Sequence, residues 1–314
     1  MKDARGKKIF VGLSGGVDSA VAAALLKRAG ARVTGVFIKG WYPPGMPCTW
    51  AAERRDAMRV AARLQIPFRT LDASTEYKRS VIDYLLAEYR AGRTPNPDVM
   101  CNKEVKFGAF YRFAKESGAD AIATGHYRSG EKDQSYFLWA VPKDILEATL
   151  FPVGHRDKSE VRKLAKKFNL PVAEKRDSQG VCFLGSVSVE EFLRQELGND
   201  NPALLYTIGQ RIPLPKGPWY VVGKDVEKKE VMISKTRVST VSKIYFTDAN
   251  WFGEPAQATE AQYRYRGPRI LGRVEEGVFV SEQVAPDIPA LGQSIVLYQR
   301  DKLVGGGSIT GYEP

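Results

Sequence analysis

The residues best suited to do chemistry stand together near the start of the chain, in Ser14-Gly15-Gly16-Val17-Asp18-Ser19. An apolar run precedes them, and a helix-forming stretch, AVAAALLKRAG, follows. A Gly-rich turn at a helix N-terminus offers unpaired amides and the positive end of the helix dipole. The glycines allow a tight turn, the two serine hydroxyls can donate to phosphate oxygens, and Asp18 could hold Mg²⁺. This pattern predicts a phosphate-binding loop.

Two common kinds of phosphate loop do not fit. The Walker loop needs a lysine, and none stands in this turn. The dinucleotide fingerprint G-x-G-x-x-G is absent, and the predicted strand 32–38 ends in Ile38-Lys39 instead of an acidic residue. An ordinary Gly-containing strand-to-helix turn is the alternative. The full hexapeptide instead resembles the pyrophosphate loop of the N-type ATP pyrophosphatases, which adenylate a substrate while splitting ATP into AMP and pyrophosphate.

Three cysteines stand far apart in the sequence. Cys101 follows a Pro-rich loop, three residues after Asp98, and we predict a new helix just beyond it, a position that favours a thiolate. Cys182 lies in a Gly-led turn, DSQGVCFLG, whereas Cys48 has no neighbouring acid or base and is interpreted as structural or incidental. Each thiol could also be a small buried hydrophobe. Beside an ATP loop, two thiols suggest sulfur transfer, one carrying sulfur as a persulfide and the other releasing it through a disulfide.

Strands and helices alternate through the first half of the chain. Helices are predicted at 51–64, 74–91, 108–117 and 157–168, between strands that would form a parallel sheet with helices on both faces. Such folds bind ligands at the carboxyl ends of their strands, where the Ser-Gly-Gly turn and Thr124-Gly125-His126 lie. The basic helix 157–168 is either a solvated surface or an RNA contact.

Beyond about residue 200 the pattern changes to short alternating runs bounded by Gly, Pro and Asn, which predicts an all-β module, a small barrel. The predicted fold is therefore an α/β N-terminal domain with a parallel sheet, followed by a small central domain and a C-terminal β-barrel. The expected boundaries are 1–185, 186–242 and 243–314.

The composition bounds the class of protein. Lys and Arg exceed Asp and Glu by eleven, a surplus that suits a polyanionic substrate such as RNA but also serves solubility alone. No apolar run reaches a bilayer span and the N-terminus lacks the apolar core of a signal peptide, so no membrane partner and a cytoplasmic location are expected. CxxC and HExxH are absent, which argues against zinc.

A series of motifs then gives a sharper resemblance. SGGVDS, GRTPNPDVMCNKEVKF, ATGHY, KDQSYFL, LFPVG, DSQGVCF, YTIGQR, YRYR and LGQSIVLY occur in the order typical of tRNA-specific 2-thiouridylases. The resemblance spans nearly the whole chain. The family fold is an N-terminal ATP pyrophosphatase domain, a small central domain and a C-terminal β-barrel. It implies an ATP-dependent exchange of oxygen for sulfur at the 2-carbonyl of the wobble uridine in tRNA.

The resemblance also implies roles for individual residues, with ATP and Mg²⁺ as cofactors and with tRNA and a persulfide sulfur donor protein as partners. Cys182 would carry the persulfide, Cys101 would be the second nucleophile and pair with it in a disulfide, and Asp98 would assist catalysis. Asp18 would hold the metal. The residues expected to bind ATP are Gly12, Leu13, Ser14, Gly15, Gly16, Val17, Asp18, Ser19, Ile38 and Gly125. Those expected to meet the target base or the tRNA are Asn96, Pro97, Asp98, His126, Lys132, Asp133, Gln134, Arg264, Tyr265 and Gln293.

The sequence departs from the family at three places, all in parts expected to grip tRNA or the sulfur donor. Only residues 128–131 separate GHY from KDQ, where the family has a hairpin. The His-x-Gly-Leu lead-in before Tyr206 is missing, and residues 212–217 replace a run of glycines. Two other functions stay open: another adenylating ligase, which would release pyrophosphate without RNA, and a non-catalytic tRNA- or nucleotide-binding homologue.

Overall fold

The computed structural model describes residues 4–43, 50–130, 133–176, 188–198, 200–236 and 240–314. The chain divides into two compact units: Met1–Ser80 with Met100–Ser186, and Val81–Val99 with Val187–Pro314. Among the residues described, no helix is both long enough and apolar enough to cross a membrane.

The first unit is built on a five-stranded sheet in the order β3-β2-β1-β4-β5, with every neighbouring pair parallel. The chain order reverses at the centre, since β1 pairs with β2 on one side and β4 on the other. Ligands of such sheets bind at this reversal, outside the carboxyl ends of the strands. The predicted parallel α/β domain is confirmed. The strands are β1 Lys8–Gly12, β2 Arg32–Lys39, β3 Phe68–Asp72, β4 Ala121–Ala123 and β5 Thr149–Leu150.

Helices cover this sheet and close the core of the unit. Helix α1, Val17–Arg28, is buried from Ala20 to Leu26 because its alanines allow close packing on the strands. Helix α8, Lys158–Lys167, contributes Val161 and Ala165 to the same core. The other helices of this unit are α2 Trp50–Arg63, α3 Ser74–Tyr77, α6 Phe110–Glu116 and α7 Lys143–Glu147, with a wide π-helical stretch at Cys101–Ala109. Helix α4, Tyr84–Arg90, belongs to the second unit, and the π-helical turn Lys78–Asp83 and helix α5, Pro97–Met100, span the sequence boundaries between the units.

The helix expected at 108–117 begins eleven residues earlier than predicted. Helix α5 starts at Pro97, passes into the π-helical stretch Cys101–Ala109 and continues into α6. The Asn96 side chain accepts a hydrogen bond from the Val99 amide (3.3 Å), which caps this start. Asn before Pro is a helix-start signal, because Pro at the first helical position has no amide to satisfy. Cys101 therefore lies inside the helical stretch, and the prediction that it precedes a new helix is wrong.

The second unit combines a small sheet with a barrel. The small sheet is antiparallel in the order β6-β7-β8 and follows helix α9, Val189–Leu197. The barrel closes in the order β10-β11-β12-β9-β14-β13 around a core that includes Ile244, Phe279 and Leu297. The predicted small central domain and β-barrel are confirmed. The strands are β6 Arg211–Ile212, β7 Trp219–Asp225, β8 Glu230–Ser234, β9 Lys243–Trp251, β10 Glu260–Gln262, β11 Ile270–Glu275, β12 Val278–Ser281, β13 Ser294–Gln299 and β14 Lys302–Glu313.

Candidate functional site

The predicted phosphate loop folds around two serine hydroxyls at the end of β1. The Ser19 hydroxyl donates to the Gly16 carbonyl (3.3 Å) and accepts from the Ser14 amide (3.3 Å), and the two hydroxyl oxygens lie 3.2 Å apart. The Gly16 amide donates to the Ser14 hydroxyl (3.3 Å). This arrangement holds the turn directly before the first amides of α1, which have no partner within the helix. The loop thus has the local structure of an anion cradle.

Two glycines allow other parts of the first unit to approach this loop closely. Gly15 has φ +75°, and a Cβ there would lie 2.4 Å from the Glu53 carbonyl oxygen. A Cβ on Gly125, after β4, would lie 2.6 Å from the Ser19 amide nitrogen and 2.8 Å from the Asp18 carbonyl carbon. The loop is therefore fitted between α2 and the chain that follows β4, with no room for a methyl group at either glycine.

Asp18 is held by two side chains that sequence reasoning missed. The ammonium group of Lys158 donates to both Asp18 carboxylate oxygens (2.6 and 2.8 Å), and the Tyr127 hydroxyl donates to Oδ1 (2.7 Å). The Lys158 side chain is only 16% exposed, and Tyr127 is buried. Lys158 is the first residue of the basic helix α8. Because it pairs with Asp18, its charge faces the loop and is not part of a solvated surface.

A second lysine, Lys175, joins the loop to α2. Its ammonium group donates to the Gly15 carbonyl (3.1 Å) and to the Asp56 carboxylate (2.7 Å). Burial raises the pKa of the nearby Glu53 above its ordinary value; the positive charge of Lys175 opposes this rise, and Asp56 adds to it. Lys175 stands two residues before the stretch 177–187, which includes Cys182 and lies outside the described residues.

A cavity of about 260 Å³ opens beside the loop in the first unit. From the predicted loop, it is lined by Gly12, Leu13, Ser14, Asp18 and Ser19. From the other predicted residues, it is lined by Ile38, Cys101, Gly125, His126 and Gln134. Gly15, Gly16 and Val17 belong to the loop but do not line the cavity. The geometry therefore brings one candidate nucleophile to the wall of the same cavity as the phosphate loop.

Two predicted residues on the cavity wall lie in packed surroundings. Cys101 is 3% exposed, at the start of its π-helical stretch. His126 is partly exposed; its Nδ1 lies 3.0 Å from the Thr124 hydroxyl and its ring centroid 5.3 Å from that of Phe107. Desolvation of the ring in these packed surroundings, and secondly the positive charge of Lys106, holds the pKa of His126 well below its ordinary value. Its ring is therefore neutral at physiological pH, suited to hydrogen bonding and not to a fixed charge.

The predicted segment Lys132-Asp133-Gln134 is described only in part, because Lys132 lies outside the described residues. The Asp133 carboxylate accepts from the Ser135 amide (2.8 Å) at the start of a short 3₁₀ turn, Ser135–Phe137. The Gln134 side-chain oxygen accepts from the Tyr127 amide (3.1 Å). These contacts shape the chain after β4 and support Tyr127.

The predicted tRNA residues of the second unit make contacts within that unit. The Arg264 guanidinium pairs with Asp287 (3.0 Å) and donates to the carbonyls of Ile208 (3.1 Å) and Ile288 (3.2 Å). The Gln293 side-chain amide donates to the carbonyls of Thr94 and Pro95. Tyr265 is partly exposed, with the Arg266 guanidinium 5.3 Å from its ring centroid. Asn96, Pro97 and Asp98 are also partly exposed, in the loop and the first turn of α5.

The cavity contains the kind of oxygen ligands that bind magnesium when the ion is also held by the phosphates of a nucleotide. Its carboxylates are Asp18 and Glu53. Within the described ranges, no group of three or more His, Cys, Asp or Glu side chains is placed to hold a metal ion. Magnesium typically uses one or two carboxylates and completes its shell with water and phosphate oxygens. The residues present therefore fit an ion that enters with phosphates.

Comparisons with known proteins bear on the class of this fold and site. Residues 7–186 match the family model described as tRNA methyl transferase HUP domain. Residues 187–235 match tRNA methyl transferase PRC-barrel domain, and residues 241–309 match Aminomethyltransferase beta-barrel domain. The three models follow one another along nearly the whole chain and define a three-domain protein with an N-terminal HUP domain.

Individual relatives narrow the family. The chain is 38% identical to "tRNA-specific 2-thiouridylase MnmA" of Streptococcus thermophilus, over 98% of this chain and 96% of the relative. It is also 38% identical to the protein of the same name from Bacillus subtilis, over 96% of this chain and 94% of the relative. The chain belongs to the tRNA-specific 2-thiouridylase family.

A solved structure and the alignment length add two observations. The solved structure of a 4-thiouridine synthetase–RNA complex with bound ATP is 22% identical in sequence, with a TM-score of 0.39. The match covers 63% of this chain and 51% of the synthetase chain. The family assignment does not depend on this match. The alignment with the Streptococcus protein runs over 366 positions, whereas 98% of this 314-residue chain is about 308 residues. About 58 aligned positions therefore have no residue here, consistent with the shortened segments noted in the sequence.

Proposed function

We propose that this protein is an ATP-dependent tRNA sulfurtransferase that adenylates the 2-carbonyl oxygen of the wobble uridine and replaces that oxygen with sulfur. The observation that carries the proposal is the shared cavity: the phosphate loop and Cys101 line it together, in a chain related over 98% of its length to a tRNA-specific 2-thiouridylase. A carbonyl oxygen is a poor leaving group until it is adenylated, so one site must serve both ATP and a sulfur nucleophile.

In the first step, the loop Gly12–Ser19 holds the phosphates through the first amides of α1 and the hydroxyls of Ser14 and Ser19. Asp18 would hold Mg²⁺, and Ile38 and Gly125 would flank the nucleotide. The Lys158 ammonium group lies beside the Asp18 carboxylate, at the phosphate loop. From this place it can offset negative charge on the phosphates as pyrophosphate leaves. Magnesium, when bound, neutralises phosphate charge in the same place.

In the second step, sulfur arrives on Cys182 as a persulfide supplied by a donor protein. The terminal sulfur attacks carbon 2 of the base, and AMP leaves with the former carbonyl oxygen. The Cys101 thiolate then attacks the Cys182 sulfur, which breaks the S–S bond, leaves the sulfur on the base and forms a Cys101–Cys182 disulfide. A thiol reductant restores both cysteines. The Cys101 side chain lies on the cavity wall, as this role requires.

The tRNA must present its base unstacked, because a uridine 2-carbonyl is covered in a stacked anticodon. We assign Asn96, Pro97 and Asp98 to the base, and His126, Lys132, Asp133, Gln134, Tyr265 and Gln293 to the tRNA or to the chain that shapes its site. Arg264 is assigned to tRNA contact as well. A basic chain with a net charge of +11 favours phosphate contacts, so tRNA affinity should fall steeply with salt.

The test is thiolation in a defined mixture. The protein is incubated with ATP, Mg²⁺, a persulfide sulfur donor protein, a thiol reductant and unmodified tRNA, and the digested RNA is analysed for 2-thiouridine by mass spectrometry. Asp18→Ala should abolish AMP formation and thiolation while tRNA binding stays within about twofold, since the loop meets phosphates and not RNA. Pyrophosphate release without RNA would favour another adenylating ligase, and tRNA binding without AMP formation by the unmodified protein would favour a non-catalytic binder.

A further inference from the structure

In the second unit, the loop between α4 and α5 rests on a turn of the barrel. Thr94 is 5% exposed, and its amide donates to the Leu291 carbonyl (2.7 Å). The side-chain nitrogen of Gln293 donates to the carbonyls of both Thr94 and Pro95, each at 3.0 Å. Three hydrogen bonds thus join two segments that lie nearly two hundred residues apart in the chain.

The turn that carries Gln293 is itself fixed. The Gln293 amide donates to the Ala290 carbonyl (3.2 Å), and Gly292 takes φ +85°. Strand β14 holds the turn from its other side: the Gly292 amide donates to the Ile309 carbonyl and the Ile309 amide donates to the Gln293 carbonyl, each at 2.8 Å. The Gln293 side chain therefore starts from a backbone that the barrel determines.

The loop is equally fixed at both of its ends. At the start, Arg93 pairs with the two Glu88 carboxylate oxygens (2.7 and 2.5 Å), and its amide donates to the Glu88 carbonyl (2.9 Å). At the end, the Asn96 side chain caps α5 through the Val99 amide. The barrel turn supplies the contact in the middle, so each part of the loop has its own anchor.

We infer that Gln293 is a positioning residue: it sets the loop that ends at Asn96 and leads into Asp98 in the first turn of α5, and these two residues are the ones assigned to the target base. The inference deepens the proposed function and depends on it. A side-chain amide suits this place because its NH₂ group has two hydrogens for two carbonyl oxygens. A direct contact of Gln293 with tRNA would act on affinity, whereas positioning acts on the rate after binding.

The first experiment is Gln293→Leu, which keeps the approximate size of the side chain and removes both donors. We expect single-turnover thiolation at saturating tRNA to fall at least tenfold, while the Kd values for tRNA and ATP stay within twofold. A raised Kd for tRNA with an unchanged rate at saturation would overturn the inference. Amide hydrogen exchange over residues 93–96 should become faster in this variant; unchanged exchange would also overturn it.

A second variant reaches the same loop without changing Gln293. A Cβ on Gly292 would lie 3.0 Å from the Arg93 Cβ and 3.1 Å from the Thr94 carbonyl oxygen, so Gly292→Ala should reproduce both effects. Gly277 is the matched control: its φ is +80°, but a Cβ there meets nothing within 4 Å. Gly277→Ala should keep the rate and the exchange of the unmodified protein. Normal rate and exchange in Gly292→Ala would contradict the positioning role.

The two proposals fail in different ways. If the unmodified protein forms no 2-thiouridine, the proposed function is wrong and so is the role assigned to Gln293. If the unmodified protein thiolates tRNA but the rate is unchanged in Gln293→Leu, only the positioning role is wrong.

Discussion

The ammonium group of Lys158 lies 2.6 Å and 2.8 Å from the two carboxylate oxygens of Asp18, at the first turn of the helix that follows the phosphate loop. Lys158 and Asp18 thus form an ion pair beside the phosphate loop. The pair balances charge before any phosphate enters. In the proposed function, Lys158 would also meet the phosphates and Asp18 would hold the metal ion.

Lys158→Met should therefore weaken ATP binding. Charge-assisted hydrogen bonds contribute about 2 kcal/mol, which corresponds to about a 30-fold rise in Kd. Lys158→Arg should recover part of this loss, because it keeps the charge. The matched control is Lys166→Met on the same helix, since Lys166 is largely exposed and pairs with Glu174. Calorimetric titration with ATP and Mg²⁺ measures the effect; equal affinity in Lys158→Met and Lys166→Met would exclude a phosphate role.

The cysteines should separate by step. Cys182→Ser should prevent loading of persulfide sulfur, because it removes the carrier. Cys101→Ser should load sulfur but fail to complete transfer, because the thiolate that breaks the S–S bond is gone. Radiolabelled sulfur retained on the protein and 2-thiouridine in the tRNA measure the two steps. Cys48→Ser is the control and should be nearly silent; an essential Cys48 beside a dispensable Cys101 or Cys182 would contradict the mechanism.

Arg264 and Tyr265 were expected to act together on tRNA, and the structure gives them different surroundings. Arg264→Ala should lower the melting temperature of the protein as well as weaken tRNA binding, because Asp287 and the carbonyls of Ile208 and Ile288 lose their partner. Tyr265→Ala should weaken tRNA binding with little change in melting. Both variants should bind ATP normally. Unchanged tRNA affinity of both across a salt titration would remove the pair from the RNA surface.

His126 should make the folded protein sensitive to acid. Its pKa is lowered in the folded state, so below its ordinary value the unfolded chain binds a proton that the folded chain does not. Stability is therefore lost as pH falls through this range, by at most about 1.4 kcal/mol per pH unit. His126→Asn should lose less free energy of unfolding between pH 7 and pH 5.5. An equal loss in His126→Asn and in the unmodified protein would refute this origin.

Much of the fold could be predicted because local patterns decided it. Alternating strands and helices gave the parallel sheet, and short runs bounded by turns gave the barrel. The start of α5 was missed, although Asn96 before Pro97 is a local helix-start signal, because two prolines in five residues were interpreted as a stiff loop. That error placed Cys101 before a helix, whereas it lies within one.

The phosphate loop could be predicted for the same reason: a strand, a turn and a helix contribute it in one continuous hexapeptide. The cations around it could not. Lys158 and Lys175 lie 140 and 160 residues from their partners Asp18 and Gly15, and only the packing of α8 and of the chain after it brings them to the loop. A basic helix looks the same in a sequence whether one of its lysines faces solvent or the carboxylate of a distant loop.

The seating of Thr94 on the barrel turn has a consequence for synthesis of the chain. The loop and its first anchor, Glu88, leave the ribosome first, whereas Gln293 is made 199 residues after Thr94. During translation the loop has its two end anchors but not its middle one. A chain whose synthesis stops before Gln293 therefore holds the phosphate loop and all three cysteines, but it lacks the Gln293 contact that supports Asn96 and Asp98. In the proposed function, sulfur chemistry on tRNA would then wait until the barrel turn has been made.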